Sequence, residues 1–472
     1  MTEAPRSPDE RGRRPADQDA AAEAFVGLQE DLVRDIEAAL DDADLKTVES
    51  LLATLHSADL ADLLERLHPD DRDTVVGIIR PQLQSDAEVL AYLNDDVREQ
   101  VLERLEPEEI AGALTELDSD DALDLIEDLD EETRAAILAS LPTAERRLVE
   151  EGLTFPERSA GRLMQREFVA VPMFWTVGKT IDYLRVAEDL PDDFYALFAV
   201  DPMHRPIGTA VLSRVLRSKR SVKVDTLVSA EIHPVPAAMD QEEVAFQFRQ
   251  YGLVSAPVVD EAGRLIGVIT VDDVVDVIDE EAEEDLLKLA GVSEGDLYRD
   301  VIDTSRSRFS WLGVNLVTAV LASAVIAIFE STIEKVVALA VLMPIVASMG
   351  GNAGTQSLTI AVRGLAMKEL TASNARRVVW KEALVGGVNG LLFAVIAGAI
   401  AALWFGNPML AVVIGVAMII NLIVAGFSGA VIPLALEKLG VDPAVASAVF
   451  LTTVTDVVGF FVFLGLAAWV LL

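Results

Sequence analysis

Cysteine is absent from the chain, and histidine and lysine are scarce, with four and nine residues among 472. Without cysteine there are no disulfides, no zinc–thiolate sites and no thiol nucleophile. His56, His68, His204 and His233 are scattered with no ligand-like spacing. Positive charge is also short: 38 basic residues face 77 acidic ones, a net charge of −39. Such a surface repels nucleic acid and attracts cations, so DNA or RNA partners are excluded. Residues 1–24 are rich in Pro, Arg and Asp and lack an apolar core. They are expected to be a disordered tail, neither a signal peptide nor an anchor. No catalytic constellation is visible, so an enzyme is not expected.

The charge is unevenly placed. From Phe309 onward seven acids face seven bases, and residues 1–308 hold the remaining 70 acids and 31 bases. An acidic, lysine-poor part suits a salt-rich cytosol, where screening is strong, and it also suits cation binding. The two readings are compatible.

Residues 25–155 carry Leu, Ile, Val and Ala at helical steps in short runs. The punctuation is acidic, as in His68-Pro69-Asp70-Asp71, Glu106-Pro107-Glu108-Glu109 and Asp118-Ser119-Asp120-Asp121. Each places a capping residue or proline ahead of first-turn acids, which favours a helix start. The expectation is an all-α, solenoid-like domain. The pattern then changes to short apolar strands and amphipathic helices in the order β-α-β-β-α, twice. Expected strands are 168–171, 196–200, 206–211, 232–235, 256–259 and 265–270, with helices at 177–188 and 240–251. The second copy reads Asp260-Glu261-Ala262-Gly263-Arg264-Leu265-Ile266-Gly267-Val268-Ile269-Thr270-Val271-Asp272-Asp273. It resembles a CBS domain, a module that works in pairs, which assigns residues 156–222 and 223–280 to the two copies. The resemblance implies that Thr270 and Asp273 hold the ribose of ATP or AMP. The first copy has Ser213 but no matching acid.

Nine acids crowd residues 272–285, and like charges one turn apart destabilise a helix. A bound divalent cation would relieve that repulsion. A linking helix over 281–307 then leads to five long apolar segments in residues 308–472, at 311–329, 336–362, 383–405, 409–436 and 445–472. Arg363, Lys368, Arg376, Arg377 and Lys381 lie between segments two and three. By the positive-inside rule the acidic part is cytoplasmic and the C-terminus is outside, in a multi-pass cell-membrane protein.

Asp456 sits in the middle of the last segment, which has no basic residue. Placing that charge there costs about 2.5–3.5 kcal/mol on insertion scales, so the default reading is a cation path. Pro344 and the run Met349-Gly350-Gly351-Asn352-Ala353-Gly354-Thr355-Gln356 are expected to break the second segment. Asn421, Gly426, Gly429 and Pro433 mark the fourth, and Thr452, Asp456 and Gly459 share one face of the fifth. These polar and flexible positions are candidates to converge on one path.

The order of domains, with Gly350-Gly351-Asn352-Ala353-Gly354-Thr355-Gln356 and Leu439-Gly440-Val441-Asp442-Pro443-Ala444, is similar to the MgtE family of magnesium channels. The resemblance implies a homodimer in the lipid bilayer with its pore on the dimer axis. Asp456 and Asn352 would line the pore, and Glu242, Asp273, Asp276, Glu281, Glu284, Asp285 and Asp442 would bind regulatory Mg²⁺ that closes it. A family acid falls at Gly252 here, which puts one regulatory site in question. Asp120, Asp121 and Asp124 are further candidate metal ligands. Mg²⁺ prefers a few carboxylates and retained waters, and the soft ligands of transition metals are missing. Two alternatives stay open: an exchanger of another divalent ion such as Mn²⁺ or Co²⁺, and a membrane-anchored nucleotide sensor that conducts nothing.

Overall fold

The computed structural model describes residues 27–292 and 301–472, except residues 84, 128, 188–189, 192–193 and 230. The expected disordered tail and part of the expected linking helix lie outside the described residues. The chain forms two compact units, Met1–Val275 and Asp276–Leu472.

The first unit begins with short helices from Glu30–Asp41 to Thr143–Gly152. Their starts use the acidic punctuation. Asp130 accepts from the backbone N–H of Glu132 and Thr133 at 2.9 and 3.1 Å, and Glu106 forms a capping box with Glu109. Such caps satisfy helix donors that have no intrahelical partner. Leu60, Leu63, Leu64, Ile126 and Ile137 are fully buried. Two buried arginines tie neighbouring helices together: Arg72 Nε donates to the Leu64 carbonyl at 2.7 Å, and Arg98 Nη1 to Asp124, two helices on, at 2.6 Å.

The repeat follows as two three-stranded sheets, β1-β2-β3 and β4-β5-β6. They are Ala170–Pro172, Ala196–Val200 and Pro206–Val211, then Val235–Pro236, Ser255–Val259 and Leu265–Thr270. In each the first pair is parallel and the second antiparallel. Ala196 pairs with Val211 as Ser255 pairs with Thr270, and both sheets shift register at the same place, Ala199/Val200 and Val258/Val259. The first strand of each sheet is shorter than expected and begins later. The segment before the first copy serves the second: Gln165 and Val268 exchange both backbone hydrogen bonds, at 2.9 and 3.0 Å. Phe198, Val200, Leu265 and Val268 make one core across the pair.

A helix, Val271–Ala290, starts directly from β6 and so begins before the expected linking helix. It stops at Gly291, whose φ of +70° seats the turn against Trp311. That left-handed backbone suits glycine.

Among the described residues five helices are long and apolar enough to cross a membrane: Val301–Ile328, Ala338–Ala366, Ala375–Phe405, Pro408–Lys438 and Pro443–Leu471. They are called here the first to fifth spans. The second is one continuous helix with Pro344 inside it, not the broken segment expected. Its glycines serve packing against neighbouring spans, and neighbours in a membrane bundle tolerate a proline. The fourth span is the most enclosed. Val346, Ile414, Met418, Phe463 and Leu464 join the second, fourth and fifth spans in one core.

The third and fourth spans touch backbone to backbone. A Cβ at Gly386 would strike the Leu422 carbonyl, and one at Gly390 would lie 2.9 Å from the Ile419 Cα. Gly386→Val is therefore expected to cost about 1–3 kcal/mol of overpacking. Thermal unfolding of the full chain in detergent measures it. Gly313→Val, at a position with open space around it, should change nothing.

Candidate ion path and regulatory site

Asp456 is half-buried in the fifth span, and among the described residues its carboxylate has no hydrogen-bond or ion-pair partner. Asn352, on the second span, is exposed and reaches only Ser348 Oγ on its own helix, at 3.4 Å. Thr355 and Thr452 also bond to their own helices, at Gly351 and Ala448. The convergence expected of the polar positions takes a specific form. Asn421 of the fourth span is fully buried and donates to the Val346 carbonyl of the second at 2.8 Å. It is wedged between Gly350 and Gly459, where added Cβ atoms would strike its amide. Its Oδ1 is buried with no partner. Asn421 thus fixes the two spans that carry Asn352 and Asp456. Gly459 is a packing position, not part of an open polar face.

A second buried carboxylate was not singled out from sequence. Glu382 of the third span is 4% exposed and accepts from Ser357 Oγ of the second at 2.8 Å. Lys381 Nζ lies 3.5 Å from its other oxygen. The only sequence signal was an acid near the start of an apolar run.

Beneath the spans, Leu289 of the linking helix packs with Leu358, Val362, Ala444 and Leu451. Lys288 Nζ lies 2.9 Å from Asp442 and 2.6 Å from Glu284. Asp442 also caps the fifth span through the Ala444 N–H at 2.8 Å. Asp442 and Glu284, both expected as regulatory metal ligands, share here a protein ammonium that sequence reading overlooked. Burial opposes the Lys288 charge, but Glu284 and Asp442 outweigh it and raise its pKa. Asp285 is pushed above the usual carboxylate range, by burial first and then by Asp442. Glu281 and Glu284 on the same helix add to that effect.

In the first unit, Asp120 and Asp121 open the helix Ser119–Glu127. Ser119 Oγ donates to Glu167 at 2.8 Å, which pins this helix start to the repeat. Asp273 opens the helix Val271–Ala290, and its Oδ2 accepts from Thr270 Oγ1 at 2.9 Å. Asp273 acts on the charge of both Asp120 and Asp121. Asp120 is pushed well above the carboxylate range, by burial first and then by Asp273. Its Oδ2 is buried without a partner. Asp121 is pushed up to about 7 by burial, then by Asp273 and Asp118. Asp124 is held by Arg98. Glu242 is exposed in the first turn of Gln241–Tyr251, and Asp276 is exposed on the linking helix. Gly252 ends Gln241–Tyr251 at φ +62°, which gives the glycine a backbone reason. Among the described residues, no three or more His, Asp or Glu side chains are gathered closely enough to hold a metal as they stand.

Family models match three parts of the chain: MgtE, divalent cation transporter, at residues 343–466; the MgtE intracellular N domain at 55–158; and the CBS domain at 224–280. The magnesium transporter MgtE of Thermus thermophilus is 33% identical over 447 residues, 93% of this chain and 98% of that protein. The chain belongs to the MgtE family. The magnesium transporter MgtE of Bacillus subtilis is 29% identical over 430 residues, 91% of this chain and 95% of that one. Among solved structures, the cytosolic domain of the Mg²⁺ channel MgtE in complex with ATP is similar. It is 31% identical and covers 52% of this chain and 99% of that chain, with a TM-score of 0.47. The CBS model matches the second copy of the repeat, the one that retains the acid.

The raised Asp121 pKa sets a pH dependence with a definite sign. Unfolded, the group titrates near 3.8; folded, near 7. Below 3.8 both states are protonated and nothing is lost. As pH rises from about 4 to about 7 the folded state pays progressively for charging this site, and above 7 the penalty is constant. Hydrogen-exchange protection of Ser119–Glu127 in the full chain should fall over that window, and Asp121→Asn should flatten the fall.

Proposed function

We propose that this chain conducts Mg²⁺ across the cell membrane as a homodimer and is closed by cytoplasmic Mg²⁺. The observation that carries the reading is Asp456, a half-buried carboxylate without a partner in the middle of an apolar span. A group so placed needs a cation, a proton or water. Mg²⁺ dehydrates reluctantly and binds through one or two carboxylates while keeping several waters. Asp456 from each of two copies, with Asn352 on the exposed face of the second span, supplies that kind of site. The names of the Thermus and Bacillus relatives support Mg²⁺ as the cargo.

Closure follows from the uncompensated acids. Burial and then Asp273 raise the cost of ionising Asp120 and Asp121, and burial and then Asp442 raise that of Asp285, with Glu281 and Glu284 adding to it. Two carboxylates about 4–5 Å apart repel by roughly 3–4 kcal/mol at an effective dielectric near 20. Divalent cations drawn to Asp120–Asp121–Asp273 and to the linking helix, with Glu242 and Asp276 adding to the field, would hold the acidic elements together. Thr270 and Asp273, read as ribose contacts for ATP or AMP, bond to each other in the helix cap, so the nucleotide reading rests on the motif. The basic residues between the second and third spans support a cytoplasmic position for the large acidic part, with five spans then carrying the C-terminus outside.

Asp456→Asn keeps the shape and removes the charge, and it should abolish Mg²⁺ flux in liposomes reconstituted with well-folded protein. Normal flux in that variant would sink the pore assignment.

Lys288→Met should leave Glu284, Asp285 and Asp442 without their internal cation. Closure should then need about tenfold more cytoplasmic Mg²⁺ in patch recordings, the change expected for about 1.4 kcal/mol of lost attraction. The open-state ion preference should not change. An unshifted inhibition curve would place the gate elsewhere.

A further inference from the structure

We propose that the outward face of the third span is a binding site for an anionic phospholipid, in the leaflet beside the basic loop. A groove of about 560 Å³ runs along this one helix. Arg377, Trp380 and Lys381 form its upper end, Leu384, Val385 and Val388 its wall, and Asn389 its floor. The spacing keeps these residues on one helical face. From Arg377 to Val388 the helix rises about 16 Å, close to the depth of one leaflet's hydrocarbon.

The face is turned away from the rest of the unit. Val378 and Val379, on the other side of the helix, pack with Leu370 and Leu434. Trp380, Leu384 and Val388 are 63%, 66% and 62% exposed. A tryptophan between a basic pair and an aliphatic wall marks the headgroup level of a membrane.

Charge decides the occupant. Among the described residues the Arg377 guanidinium has no acidic partner, and the Lys381 ammonium, 67% exposed, has only Glu382 at 3.5 Å. Glu382 already accepts from Ser357. On a chain of net charge −39 this is a positive, apolar-walled groove, complementary to a phosphate carrying acyl chains. A second copy fits it poorly. Two copies related by an axis along the membrane normal meet residue to residue at the same depth, which would set Arg377 and Lys381 against their own equivalents.

The test titrates the full chain in detergent with phosphatidylglycerol or with phosphatidylcholine of the same acyl chains, and reads bound lipid by native mass spectrometry. Phosphatidylglycerol should bind more tightly. Each basic side chain beside an anionic lipid surface is worth about fivefold, so Arg377→Gln with Lys381→Gln should weaken binding roughly twentyfold. Arg376→Gln lies outside the groove and should leave binding unchanged. Equal binding of the two lipids, or an equal loss in Arg376→Gln, would overturn the site. So would displacement of the lipid by inorganic phosphate alone, which would show recognition of an anion without its chains. Val388→Cys in this cysteine-free chain adds an independent readout. Labelling by a lipid-soluble thiol reagent in membranes supports the proposal, and disulfide cross-linking of two copies overturns it.

Discussion

A carboxylate taken out of water must find a donor, a cation or a proton, and most of this molecule is arranged around that requirement. The cytosolic part meets it in two ways. Many acids stay at helix starts, where backbone N–H groups and the helix dipole receive them, as Asp130 and Glu106 do. Others are matched by buried arginine, as Asp124 is by Arg98. In the membrane, Glu382 is met by a serine hydroxyl and the neighbouring lysine. Asp120 and Asp456 each keep carboxylate oxygen without a partner among the described residues. The proposed function puts a metal ion at both.

Close packing of the spans supplies the rigidity such a site needs. Lipid offers no hydrophobic drive between helices, so contact depends on small residues and interhelical hydrogen bonds. Asn421 combines both. Its amide is caged by a glycine from each of the second and fifth spans and bonds the Val346 carbonyl of the second, so the spans bearing Asn352 and Asp456 are held at one point. A side chain larger than hydrogen at Gly350 or Gly459 would move the path itself.

Much of this was legible in the sequence, because long apolar runs, acidic helix starts and a repeated strand pattern are local signals. The two sheets even share a register irregularity, a mark of the repeat read from Val258-Val259 onward. What was not legible depends on partners distant in the chain. Lys288 looked like one base in an acidic run, and only the fold sets it beside Asp442, 154 positions away. Glu382 stands at the edge of an apolar run in the sequence, and its burial depends on Gly426 of the fourth span, where an added Cβ would lie 2.5 Å from the Glu382 carbonyl oxygen. Pro344 was misjudged for a related reason: propensity speaks for an isolated helix, whereas neighbours decide in a bundle.

Besides the packing of Leu289, an ion pair joins the linking helix to the start of the fifth span, and that pair gives the proposed regulation a physical route. Asp442 is at once the partner of Lys288 and the cap of the helix that carries Asp456. The two acids are fourteen residues apart, about 21 Å along one rigid helix. Whatever repositions Lys288 must either carry Asp442 with it or break an ion pair together with the charge balance at a helix start. Both outcomes act on the fifth span as a body. Asn421 restrains that span at Gly459, one turn from Asp456. A movement that begins at the linking helix would therefore be pivoted close to Asp456, so the proposed closure would need only a small displacement beneath the membrane.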